Sequence, residues 1–72
     1  MHIEPGPANV HSTEDYLEAV RGHEPAATRE VAAAVGVTRQ GADYRLRQLE
    51  LAGLVWAKKI GWELVWMLPE SE

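Results

Sequence analysis

TREVAAAVGVTRQGADYRLRQLELAGLV, residues 28–55, holds two helical patterns joined by a glycine. Val31, Ala32 and Val35 recur at i, i+1 and i+4 as the apolar stripe of a short helix, and the Thr28 hydroxyl is placed to cap its first turn. Gly36 ends that helix, because glycine adopts a left-handed conformation without steric cost, and Val37 can then fold back onto the helix just left. Thr38 caps the next helix, whose Ala42, Leu46 and Leu49 fall at i, i+4 and i+7 and face inward. Arg39, Gln40, Asp43, Tyr44 and Arg47 face outward. Small Ala32 lets the two helices cross closely, as a helix-turn-helix requires, although the spacing alone also fits an αα-hairpin with a solvated polar face. Gly53 ends the second helix, and Leu54 is placed for the apolar contact that accompanies such a cap.

Beyond Leu54 the period changes. Residues 55–59 and 62–68 are rich in β-branched and aromatic residues, and Ile60-Gly61 between them reads as a turn, which gives a β-hairpin. Trp62, Leu64, Trp66 and Leu68 alternate and are expected on the strand face that covers the helices. Upstream, Ser12 or Thr13 caps a first helix with Glu14 and Asp15 in its first turn and Tyr16, Leu17 and Val20 inward. Residues 1–11, with Pro5-Gly6-Pro7, read as a flexible arm, residues 12–69 as the domain, and 70–72 as a loose tail.

Helix, turn, helix and hairpin together resemble the winged-helix DNA-binding domains of prokaryotic transcriptional regulators of the MarR and ArsR type. The resemblance covers residues 28–68 and rests on Ala32, Gly36-Val37-Thr38-Arg39, the run Leu46-x-x-Leu49-Glu50-x-x-Gly53-Leu54-Val55, and the hairpin ending Trp66-Met67-Leu68. It implies an α+β, mostly α fold of three helices and a C-terminal β-hairpin wing. It also implies that the helix from Thr38 enters the major groove of double-stranded DNA while the 55–68 hairpin lies along the backbone or minor groove, and that Pro25-Ala26-Ala27 supplies an edge pair to the sheet. Gly41 departs from the pattern, standing where a polar contact residue is common, and so does Asp43, a negative charge on the reading face.

The net charge of −4 opposes DNA binding at first sight, since affinity for DNA is dominated by cations that replace counterions on phosphate. The charge is segregated, however. Residues 1–27 carry one Arg against five acids, residues 28–61 carry six Lys or Arg against three acids, and residues 62–72 carry three acids and no cation. The cations therefore sit on the expected DNA-facing motif and wing. Acid-rich flanks with only two Lys also suit a high-salt cytoplasm.

The expected DNA contacts are Thr38, Arg39, Gln40, Asp43, Tyr44 and Arg47 on the reading helix, with Lys58 and Lys59 at the wing tip. Arg pairs bidentately with guanine and Gln with adenine, so Arg39 and Gln40 are expected to read bases, and Tyr44 to touch a thymine methyl or a phosphate. Lys58 and Lys59 are expected on phosphate, without reading sequence. A homodimer is expected, because two reading helices about 34 Å apart fit a palindromic site, with the helix of Tyr16, Leu17 and Val20 as the favoured interface and the outward face of Trp56 among the alternatives.

No enzyme, metal, cofactor or small-molecule ligand is expected. His2, His11 and His23 fit no ligand spacing, and the chain has neither a phosphate loop nor a nucleophile elbow. The lack of Cys excludes disulfides, and without an apolar span or a signal pattern a cytoplasmic location with no membrane contact is expected. The competing reading is a winged helix used for protein interaction through its Trp-rich hairpin, since Trp is enriched at binding hot spots.

Overall fold

Ser12 starts the first helix by a reciprocal cap. Its hydroxyl accepts from the Asp15 N–H at 3.3 Å, and the Asp15 carboxylate accepts from the Ser12 N–H at 3.1 Å. The computed structural model describes residues 11–69, so the expected arm, except for His11, and the tail over 70–72 lie outside the described residues. From this cap α1 runs over Thr13–Gly22, followed by β1 (Ala26–Ala27), α2 (Thr28–Val35), α3 (Arg39–Leu51), β2 (Trp56–Ile60) and β3 (Glu63–Met67). The Glu24–Pro25 peptide bond leading into β1 is cis. Among the described residues no helix is long and apolar enough to cross a membrane.

The helix-turn-helix forms from the signals its sequence carries, with one correction. Thr28 does not cap α2. It is the first helical residue, Ala27 is the cap, and the Glu30 carboxylate accepts from the Ala27 N–H at 2.9 Å. Being one position inside the helix turns the Thr28 hydroxyl toward the sheet, where it accepts from the buried Trp66 indole N–H at 2.8 Å. Gly36 ends α2 at φ 92°, and the Val37 N–H donates back to the Ala32 carbonyl at 3.0 Å. The Thr38 hydroxyl caps α3 by accepting from the Gly41 N–H at 3.0 Å.

At the far end of α3, Gly53 takes φ 80°. The Leu54 N–H reaches the Leu49 carbonyl and the Gly53 N–H the Glu50 carbonyl, both at 2.9 Å, which completes a Schellman cap. The apolar residue that follows this cap into the core is Val55, fully buried, whereas Leu54 is exposed.

The sheet corrects the hairpin register. Its strand order is β1-β3-β2, antiparallel throughout, and Ile60 pairs with Glu63. The turn is therefore Gly61-Trp62. Gly61 sits at φ 61° while no non-glycine residue among those described has positive φ, which defines a type II′ turn with glycine at its first central position. Cross-strand partners share a face, so Ala57, Lys59, Leu64, Trp66 and Ala26 point toward the helices, while Trp56, Lys58, Ile60, Glu63, Val65 and Met67 point away. Trp62 leaves the strand altogether and is 99% exposed, so the core-facing row is Leu64, Trp66 and Leu68.

The core joins Tyr16, Ala19 and Val20 of α1, Val31 and Ala32 of α2, Ala42, Leu46 and Leu49 of α3, and Ala26, Val55, Trp66 and Leu68 from the sheet side. Tyr16 and Val20 are consumed by this core, which removes them from the expected dimer surface. Among the described residues the bond between Thr28 and Trp66 is the buried side-chain hydrogen bond, and Thr28→Val leaves the indole N–H without its partner at unchanged volume. That change should destabilise the domain by about 1–3 kcal/mol, with Thr28→Ser recovering most of the loss. Urea unfolding measures this, and equal stability of Thr28→Val and the wild type would show that the bond contributes nothing.

Candidate nucleic-acid interface

The cap at Thr38 and the inward row of Ala42, Leu46 and Leu49 fix which side of α3 meets solvent. Arg39, Gln40, Asp43 and Arg47 lie on that side and form one wall of an open groove. Ile60, Trp62 and Leu64 of the hairpin form the opposite wall, and Arg29 at the start of α2 closes one end. Of the sequence-expected residues, the groove thus gathers four.

The other four stand elsewhere. Thr38 is exposed at the cap, and Tyr44 lies beside the groove, with its hydroxyl accepting from the Gln48 side-chain amide at 3.2 Å. Lys58 and Lys59 are not at the hairpin tip but within β2, and they point to opposite faces, because Lys58 pairs with Val65 and Lys59 with Leu64. Only Lys59 shares the helix-facing side of the wing. The turn lies one residue further along than expected, which leaves both lysines inside the strand, and consecutive residues of a strand point to opposite faces.

Electrostatically the groove is less simple than a row of cations. Asp43 accepts from the Arg47 Nε at 2.8 Å, an i, i+4 pair on the α3 surface. The hydrogen bond to Asp43, reinforced by its charge, raises the Arg47 pKa. A guanidinium is protonated in either case, so the effect is orientation: the Asp43 charge is countered on the outward face of α3 and the Arg47 guanidinium is directed to it. Arg29 pairs with Glu63 at 3.2 Å, linking α2 to β3 across the end of the groove. No spacing in the sequence brings Arg29 to this groove, because its partner is remote in sequence. Arg45 serves the fold instead, donating to the Thr13 hydroxyl at 3.1 Å and standing over the Tyr16 ring at 5.3 Å. Arg39 and Gln40, in the first turn of α3, make no ion pair or side-chain hydrogen bond among the described residues and so present open donors.

Three helices, the second and third joined through a glycine turn, with a sheet whose hairpin stands beside the third, define a winged helix-turn-helix. A family model described as a helix-turn-helix domain matches residues 15–55, more than half of the chain. The chain belongs to this helix-turn-helix family, whose partner is double-stranded DNA and whose role is transcription regulation. No curated protein and no solved structure matches the chain.

Proposed function

We propose that this protein is a sequence-specific DNA-binding regulator of the prokaryotic MarR and ArsR kind, working in the cytoplasm, with α3 in the major groove and the β2–β3 hairpin as its wing. The observation that carries the reading is the pair of open donors, Arg39 and Gln40, in the first turn of a firmly capped helix that faces a groove. Recognition helices meet base edges with their N-terminal residues, and these two side-chain types fit guanine and adenine. Thr38, Tyr44 and the clamped pair Asp43 and Arg47 complete the reading face, while Lys59 adds a phosphate contact from the wing.

A mobility-shift titration against random duplex DNA at moderate salt tests the proposal. Retardation that weakens steeply with salt supports it, and no retardation at protein concentrations well above 100 μM, beyond the usual non-specific range, removes it. The same titration separates the lysines. Lys59→Ala should lower the salt slope by about one unit and Lys58→Ala by much less, because only one faces the helix side. Equal effects would place the wing edge-on to DNA.

Use as a homodimer on a palindromic site remains part of the proposal, with its surface moved from α1 to the junction of α3 and β2, where Leu51, Leu54 and Trp56 are exposed. Sedimentation equilibrium at micromolar concentration should find a dimer that Trp56→Glu dissociates. A monomer that also binds DNA one-to-one would rule this out.

A further inference from the structure

The hairpin tip does not resemble a solubilising turn. Its type II′ geometry needs glycine at the first central position, which Gly61 supplies, but the second central residue has negative φ and nearly any side chain fits there. Trp62 fills that position with its indole 99% exposed, and the neighbouring Ile60 is 52% exposed. Neither turn geometry nor core packing calls for an indole here. Both residues border the groove opposite α3, Trp62 from the turn and Ile60 from the last position of β2, on the strand face away from the helices. The surroundings are polar with a small excess of cations: Arg29, Arg39 and Arg47 line the same groove against Asp43 and Glu63, and Lys59 precedes the tip.

We propose that Ile60 and Trp62 form an apolar wedge that the wing inserts between base pairs of the duplex, unstacking one step and bending the DNA. This rests on the DNA-binding reading and adds a contact of a different kind, since a wing that touches only phosphate has no use for an indole. Proteins that kink DNA do so with apolar side chains pushed between base steps, and a tryptophan stacks on any base without reading its hydrogen-bonding edge. A β2 strand of five residues at about 3.4 Å each carries the tip roughly 17 Å from the start of the strand at Trp56, on the scale of a step past a phosphate backbone into the adjoining groove. With Arg29 and Arg47 paired to Glu63 and Asp43, it is Arg39, unpaired among the described residues, and Lys59 that favour DNA over a protein partner, because those cations suit the phosphates on either side of an opened step. The wedge therefore imposes a preference for pyrimidine–purine steps, which unstack most easily, at a position no hydrogen bond reads.

The test uses the full chain and a duplex of about 30 base pairs recovered by the wild-type protein from a random pool, with a donor and an acceptor dye at its ends. The wild type is expected to shorten the end-to-end distance. In a Trp56→Phe background, which leaves Trp62 as the exposed emitter, binding should quench its fluorescence and protect it from acrylamide. Trp62→Ala should bind about tenfold more weakly with an unchanged salt slope, since no charge is lost, and should leave the duplex straight. Trp62→Lys should steepen the slope without restoring the bend. Because Trp62 touches no core residue, unfolding by urea should be the same for all three proteins. If Trp62→Ala binds and bends as the wild type does, or Trp62 stays open to acrylamide in the complex, the wedge is overturned. If the wild type recovers no duplex at all, the DNA-binding reading itself fails and the wedge with it.

Discussion

Trp66→Ala should unfold the domain at room temperature. Trp66 is the largest fully buried side chain, lies in the central strand β3 between Ala26 on one side and Ala57 on the other, and donates its indole N–H to Thr28. Truncating a buried Trp or Phe to Ala costs about 3–5 kcal/mol, and a core in a domain of this size supplies about the same total. The flanking residues are alanines, so the void cannot be filled by their side chains. Far-ultraviolet circular dichroism should show lost helix in Trp66→Ala, while Trp66→Phe, which keeps the ring volume in part, should remain folded with a lower midpoint. A Trp66→Ala protein that melts within a few degrees of the wild type would show that the sheet does not hold the helices together.

Arg39→Ala should produce the largest loss of sequence discrimination. Arg47 is held by Asp43 and Arg29 by Glu63, so each must give up or share a partner to meet DNA, whereas Arg39 has none to give up among the described residues. A bidentate contact to a guanine is worth about 1–3 kcal/mol of discrimination, or roughly 5- to 150-fold in the ratio of operator to random affinity. Competition titration against random duplex measures that ratio. Weakening by the same factor on both DNAs would assign Arg39 to phosphate.

The helices were legible because their signals are local. Thr38 and Gly36 sit at fixed offsets from the Val31, Ala32 and Ala42, Leu46, Leu49 rows, so caps and inward faces follow from spacing within a few turns, as does the outward row from Arg39 to Arg47. The two-residue strand at Ala26-Ala27 was reached through the family resemblance, since its own residues carry little strand signal. The hairpin was legible as a hairpin but not in register. Read as Ile60-Gly61, the turn has Gly61 second rather than first, and that single step carries Trp62 into the core and both lysines to the tip. Contacts between residues distant in sequence, Thr28 with Trp66 and Arg29 with Glu63, left no trace in any spacing. The same applies to Asp43: its charge was visible, but its neutralisation by Arg47 depends on the rotamers both adopt on the helix surface.

The pairing of β1 with β3 has a mechanical meaning. Ala26 and Ala27 run directly into α2, and they are bonded to Trp66 and Val65 in the strand that carries the wing. If α3 and the hairpin contact DNA as proposed, they are two jaws on one frame, their gap set before DNA arrives, so the duplex must conform to the protein and the protein spends little ordering itself. Such a frame also works as a ruler. Adding one residue to each strand of the hairpin would carry the tip outward by about 3.4 Å and reverse the faces beyond the insertion, whereas adding two to each would carry it about 7 Å and keep them. On the proposed reading, the reach of the wing along DNA can therefore be lengthened in even steps while α3 keeps its place against the same bases.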